Sequence, residues 1–247
     1  GSLAQSEEVH RKRFVAATGV DCDSARWDAE CVGRNTEWIV CHLLDVDEPP
    51  PDVVADLARR VVSDAFLEDI VPTEGGLDLL SALQDAAIPC AIVTSGLRAY
   101  VEACLERWGV DVDFIVAGDD DVKHKPAPEP YLAACEHFDV APSDCVAVED
   151  SPSGLQSALS AGCAVVAIRN PANDGLELLD DCRAVADDLT DRAPFGLVAE
   201  ATMVQGILAS VYGAVMAFGV CALSSVLLLM GVVAFQLQAR RAVPTPA

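Results

Sequence analysis

The spacing of hydrophobic and polar positions changes rhythm near residue 72. Before it, apolar residues recur at helical intervals through 9–15, 38–44 and 53–66, and three prolines, Pro49-Pro50-Pro51, break the middle. No run of β-branched residues there is long enough for a buried strand, so residues 8–71 read as a small helical unit. After residue 72, short apolar runs alternate with helical patterns of about ten residues. The runs cover 89–94, 113–117, 144–148 and 163–168, with a weaker one at 183–186; the helical patterns cover 75–85, 97–108, 130–138 and 153–160. This alternation predicts a doubly wound, parallel α/β sheet over residues 72–195, its strands apolar on both faces because helices cover them.

Ligands of such sheets bind beyond the carboxyl ends of the strands. Those ends carry Thr94-Ser95-Gly96, Gly118-Asp119-Asp120-Asp121 and Glu149-Asp150. Glu149 and Asp150 are paired carboxylates of the kind that suit Mg²⁺, a hard cation that prefers oxygen. Ser151 and Pro152 read as cap and first residue of the next helix, so a solvated turn with a capping serine fits the same residues. Lys125 is one of three lysines, and the prolines at 126 and 128 hold its backbone extended. A fixed ammonium near carboxylates suits a phosphoryl group; an ordinary surface lysine fits as well. Thr94, Ser95 and Gly96 offer hydroxyls and N–H groups to an anion, or simply cap the helix that follows. The acidic run 119–121 follows a different strand and reads as a solvated loop.

Composition narrows the field. Apolar residues make up 52% and charged residues 22% of the 247, a core-forming balance. The 39 acids against 16 bases give a net charge of −23, which disfavours nucleic acid and anionic membrane surfaces as partners. Ten cysteines include no C-x-x-C pair and no zinc spacing. Most sit in apolar runs and read as buried reduced thiols, as expected in a reducing compartment.

In this order and at these spacings, strand-Thr94-Ser95-Gly96, then Lys125-Pro126-Ala127-Pro128, then strand-Glu149-Asp150-Ser151 with Gly154 resemble the haloacid dehalogenase superfamily. The resemblance is to its phosphatase and β-phosphoglucomutase-like branch and covers roughly residues 1–193. It implies a Rossmann-like core with a helical cap, inserted after the first strand as residues 8–71. It implies that Thr94, Ser95, Gly96 and Lys125 bind the phosphoryl group, Thr94 and Lys125 acting in catalysis. It implies Mg²⁺ on Glu149 and Asp150, with Asp150 the better match to a direct ligand. Gly33, Arg34, Asn35 and Thr36 fall in a cap segment that faces substrate, and Thr36 stands where the mutases usually show arginine, which favours a phosphatase.

The family opens on a strand ending in Asp-x-Asp-Gly, and Gly1 aligns with that glycine. Both aspartates, the phosphoryl-accepting nucleophile and the general acid/base, would then lie just before Gly1. Residues 1–7 would be the remnant of the nucleophile loop, and Gln5 replaces a later family aspartate. The sheet would lack its first, central strand between the strands ending at Thr94 and Val148, and the chain alone would not turn over. The expected function is Mg²⁺-dependent hydrolysis of a small, sugar-phosphate-like metabolite through an aspartyl-phosphate. The alternative is a catalytically silent, membrane-anchored module of the same fold that binds or interacts.

No acidic or basic residue occurs from 201 to 239, and residues 203–235 exceed the roughly 20 apolar residues a bilayer requires. They read as a transmembrane helix in contact with the lipid bilayer, followed by a short basic tail at 236–247. Gly206, Ser210 and Ala214 share a helical face that permits homo-oligomer contact. The expectation is a single-pass membrane protein with its reduced, cysteine-rich domain in the cytosol.

Overall fold

The computed structural model describes residues 2–190. A two-residue strand, β1 (Ala4–Gln5), leads into five helices: α1 (Glu7–Thr18), α2 (Ser24–Glu30), α3 (Thr36–Leu44), α4 (Pro51–Val61) and α5 (Asp64–Leu67). Local chemistry sets their starts. Asp23 and Asn35 accept the backbone N–H of Arg26 and Trp38, each at 2.8 Å, and Pro51 opens α4 where its missing N–H costs nothing. Phe14, Trp27, Cys31, Val40 and Leu57 meet in a core of their own, each buried. The chain returns through β2 (Val71–Pro72), which pairs antiparallel with β1, so entry to and exit from the helical unit form one two-stranded neck. That neck has no signal in the hydrophobic pattern, because two residues are too few to show a period.

The second half alternates as its pattern predicts. It runs α6 (Gly76–Asp85), β3 (Ala91–Val93), α7 (Arg98–Trp108), β4 (Phe114–Val116), α8 (Glu129–His137), β5 (Val146–Glu149), α9 (Pro152–Ala161), β6 (Ala164–Ile168) and β7 (Ala184–Ala186). All pairings among β3–β7 are parallel, with Ala91 opposite Phe114, Val146 opposite Ala164 and Val166 opposite Ala184. The strands form two blocks, β3–β4 and β5–β6–β7, and among the described residues no strand joins them. Between the blocks lies a cavity of about 280 Å³. Ala91, Ile92 and Val93 line it from one block and Val148 from the other, with Leu79 and Leu80 of α6 behind. Nine cysteines fall within the described residues; all are free thiols, and seven are buried.

The expected membrane placement is corrected. Among the described residues no helix is long and apolar enough to cross a membrane. The longest, α1, has 12 residues, and at 1.5 Å per residue falls well short of a core of about 30 Å. The stretch 203–235, on which the span, the lipid contact and the homo-oligomer rested, lies outside the described residues, as does the tail 236–247.

His10 ties the helical unit to the core. Its ring lies 5.1 Å from that of Phe66 and 5.2 Å from that of Tyr100 on α7. Burial, reinforced by the neighbouring Arg13 cation, pushes its pKa down to about 3. The unfolded chain then binds a proton at His10 that the folded chain refuses, so this residue's contribution makes stability fall as pH drops below about 6.5. Replacing His10 with glutamine should remove up to roughly 1 kcal/mol of that loss per pH unit between about pH 6 and 4. Urea unfolding of both proteins across that range measures it; parallel profiles would show that His10 is not held neutral.

Candidate active site

The carboxyl ends of β3 and β5 face each other across the mouth of the cavity. Thr94 and Lys125 stand on one side, Glu149 and Asp150 on the other, and all four line it. Lys125 is only 8% and Glu149 only 5% exposed, and the ammonium Nζ bonds directly to Glu149 Oε1. Nζ also donates to the Val93 carbonyl at 3.0 Å. Tyr131 on α8 donates its hydroxyl to the same Glu149 oxygen at 2.6 Å, and Ser151 Oγ donates to Oε2 at 3.2 Å. Burial and the neighbouring Glu149 charge push the Tyr131 hydroxyl well above its ordinary pKa, so it remains a donor. Gly154 is required here: the Glu149 carboxylate occupies the space where a Cβ would stand.

Asp150 has other partners. Its carboxylate accepts from Ser2 Oγ at 2.9 Å and from Asn170 Nδ2 at 3.2 Å, and Asn170 and Asn173 both donate to its carbonyl. Ser151 caps α9 as its sequence position predicts, accepting the Gly154 N–H at 3.1 Å.

The phosphate candidates divide. Thr94 lines the cavity, and its Oγ1 accepts the Gly96 N–H at 3.0 Å. Ser95 instead donates its hydroxyl to the carbonyl of Gly33 at 2.8 Å, and Ser153 donates to that same carbonyl at 2.8 Å. Gly33 sits at φ +80°, and a Cβ there would collide with Ser151 and Ser153, so only glycine lets the helical unit dock so closely on the core. Arg34 and Thr36 also line the cavity, the Arg34 guanidinium resting 4.7 Å from the centre of the Trp38 ring. Asn35 caps α3. The 119–121 run is not purely solvated: Asp119 accepts the Arg98 N–H at 2.8 Å, and Asp120 pairs with the Arg98 guanidinium at 2.7 Å.

The donor set falls short of the implied Mg²⁺. An octahedral shell needs six oxygens. Glu149 is turned to Lys125, Tyr131 and Ser151, which leaves Asp150 as the carboxylate at the mouth. Among the described residues no group of three or more His, Cys, Asp or Glu is placed to hold a metal ion. Tyr131, Asn170, Ser2 and Arg13 were not legible as site residues. For Asn170 alone there was a signal, its place at the end of an apolar run.

The family follows from comparison with known proteins. The haloacid dehalogenase-like hydrolase family matches residues 28–168, and the chain belongs to it. Protein CbbY of Rhodobacter capsulatus is 33% identical over 183 residues, spanning 67% of this chain and 80% of that one. Hexitol phosphatase A of Escherichia coli (strain K12) is 38% identical over 124 residues, spanning 49% and 57%. Among solved structures, CbbY from Rhodobacter sphaeroides in complex with phosphate superimposes with a TM-score of 0.69 at 27% identity, covering 78% of this chain and 92% of that one. The fold is thus the Rossmann-like α/β fold of this family.

Two outcomes test this geometry. Lys125→Met leaves a buried carboxylate without its cation and should destabilise the protein by roughly 3–5 kcal/mol, whereas Lys125→Met with Glu149→Gln should recover most of the loss, as read by urea unfolding. Calorimetric titration with MgCl₂ should show binding no tighter than roughly 1 mM, as for a site with one carboxylate; micromolar affinity would overturn the donor assignment.

Proposed function

We propose that this chain is the phosphoryl-binding framework of a phosphatase acting on a small, sugar-like phosphomonoester. The observation that carries the reading is the buried Lys125–Glu149 pair at the mouth of the cavity, beside Thr94 and Asp150. A lysine held by a carboxylate and a main-chain carbonyl has a fixed place, and a fixed cation stabilises phosphoryl charge without reorganising. Thr94 adds a hydroxyl at the end of β3. The relatives lend weight through their own names: hexitol phosphatase A, phosphoglycolate phosphatase of Nitrosospira multiformis and fructose-1-phosphate phosphatase YqaB of Escherichia coli. Because the described residues do not assemble a Mg²⁺ shell, the reading rests on the chain's own cation.

The covalent step implied by the resemblance needs an aspartate whose oxygen attacks phosphorus while the substrate alkoxide leaves with a proton; water then hydrolyses the aspartyl-phosphate. Among the described residues three carboxylates line the cavity, and each is engaged: Glu7 accepts from Trp27 Nε1 at 3.0 Å, Glu149 holds Lys125, and Asp150 accepts from Ser2 and Asn170. These engagements favour a second reading, in which the residues described bind a phosphometabolite without turning it over.

Hydrolysis of p-nitrophenyl phosphate separates the two. The 247-residue chain should show none above background. Adding an apolar strand ending in Asp-x-Asp ahead of Gly1 should produce activity that Lys125→Ala and Asp150→Ala abolish. A folded but inactive extended protein would support the binding reading. Robust hydrolysis by the chain itself would overturn the nucleophile assignment.

A further inference from the structure

Three thiols outside the phosphoryl corner meet at one point. Cys135 lies on α8, Cys145 just before β5 and Cys163 just before β6. The chain brings the first two together by reversing tightly after α8. The Val140 N–H returns to the Cys135 carbonyl at 3.1 Å, Asp139 adopts φ +55°, and the Cys145 N–H bonds to the Pro142 carbonyl at 3.0 Å. Aspartate tolerates that left-handed backbone better than most residues. The third thiol comes from sheet pairing: Ala164 donates its N–H to the Cys145 carbonyl at 3.0 Å and so sets Cys163 beside it. Side chains alternate along a strand, so Cys145 and Ala147 face α8 and α9 while Val146 packs in the opposite core.

The sulfurs of Cys135 and Cys145 lie 3.4 Å apart. All three thiols are buried, and together they line a small cavity of about 20 Å³, room for about one water-sized molecule. Hydrogen bonds from Cys145 and Cys163 pull the Cys135 thiol below its ordinary pKa, and those bonds together with burial push the other two up. Cys135 therefore loses its proton most readily, and the thiolate is the nucleophilic form of cysteine. A disulfide holds its sulfurs about 2.05 Å apart, so closing the pair asks for a further approach of about 1.4 Å.

We infer that Cys135 and Cys145 are a peroxide-oxidised pair, a modification site at which α8 becomes covalently tied to the chain entering β5. Hydrogen peroxide is the oxidant. The Cys135 thiolate attacks one peroxide oxygen and breaks the O–O bond; the departing hydroxide takes up the proton that Cys135 released and leaves as water. Cys145 then attacks the sulfur of the resulting sulfenic acid, and its thiol proton leaves with the hydroxyl as a second water. Two electrons pass from two thiols to one peroxide. The size of the cavity selects this oxidant: hydrogen peroxide has two heavy atoms, whereas glutathione disulfide would need the core opened. Tyr131 sits one turn before Cys135 on α8 and holds Glu149 at the far end of β5, so the cross-link clamps the helix and strand that carry the buried carboxylate. The inference does not depend on the phosphomonoester reading.

Exposing the reduced 247-residue chain to a small molar excess of hydrogen peroxide tests it. After unfolding in the presence of an alkylating agent, cleavage behind arginine, lysine and glutamate separates the three cysteines, because Glu136 and Glu149 lie between them. Mass spectrometry should find the Cys135 and Cys145 peptides joined with loss of two hydrogens, and dithiothreitol should part them. The oxidised protein should unfold roughly 5 °C higher, as for a loop of about ten residues closed in its native geometry. Cys135→Ala and Cys145→Ala should each lose the joined peptides and the shift, whereas Cys163→Ala should keep both. The map of the unaltered chain stands even where a variant fails to fold. Oxidised glutathione should leave Cys135 of the folded protein unmodified. Full alkylation of Cys135 and Cys145 after peroxide, a bond from Cys135 to Cys163 instead, a glutathione adduct on Cys135, or a midpoint that does not rise would each overturn the inference.

Discussion

The buried ion pair of Lys125 and Glu149 is the constraint around which this site is arranged. Two charges removed from water are tolerated only when each finds further partners. Here the ammonium also bonds to the Val93 carbonyl at the end of β3, and the carboxylate takes Tyr131 from α8 and Ser151 from the start of α9. The pair therefore spans the two sheet blocks that no strand joins among the described residues. It does at the mouth of the cavity what a ladder of main-chain bonds does elsewhere in a sheet. A polar contact in this position is directional, and it fixes where the ends of β3 and β5 stand relative to each other.

The interior below that contact is built differently. Leu79, Leu80, Val146, Val166 and Ile168 pack into one core beneath the three-stranded block, whereas Tyr100, Val101 and Cys104 pack with Phe66 and Ile70 beneath the other. Helix α8 packs on both: Ala134 meets Ala91 and Val116, while Tyr131 and Cys135 meet Cys145 and Ala147. The two blocks are thus joined through a shared helix although no described strand lies between them. The helical unit has a third, separate core around Trp27.

Much of the fold was legible because periodicity reports burial. Apolar runs at 89–94, 113–117, 144–148, 163–168 and 183–186 overlap β3 to β7, and the helical patterns between them overlap α6 to α9; β5, α8 and α9 extend beyond them by one residue at one or both ends. The β1–β2 neck was illegible because strands of two residues carry no pattern. Thr94, Glu149 and Asp150 were legible as candidates from their places at strand ends and Lys125 from the prolines that follow it, but not their partnerships. Glu149 looked like a metal ligand because the sequence shows its proximity to Asp150 and hides its burial against Lys125. Ser95 looked like a phosphate donor because the sequence cannot show that Gly33, 62 residues away, brings a carbonyl to it. Arg13 gave no signal at all: an arginine amid the charges of α1 reads as solvated until the fold closes Phe66 over it. The membrane span was read from 203–235 on hydropathy alone, and no described helix takes that role.

The carbonyl of Gly33, which accepts two hydrogen bonds, bears on how the helical unit is held. Ser95 belongs to one sheet block and Ser153 to the other, so a single oxygen of the helical unit is held by both halves of the core. Swinging the unit away breaks both bonds together, at a cost of about 1 kcal/mol each once water replaces them. The two bonds are part of a larger contact, since Phe66 and Ile70 of the helical unit are buried in one core with Tyr100 and Val101 of α7. The docked position of the helical unit and the engagement of the Ser95 hydroxyl, next to Thr94, thereby depend on one atom.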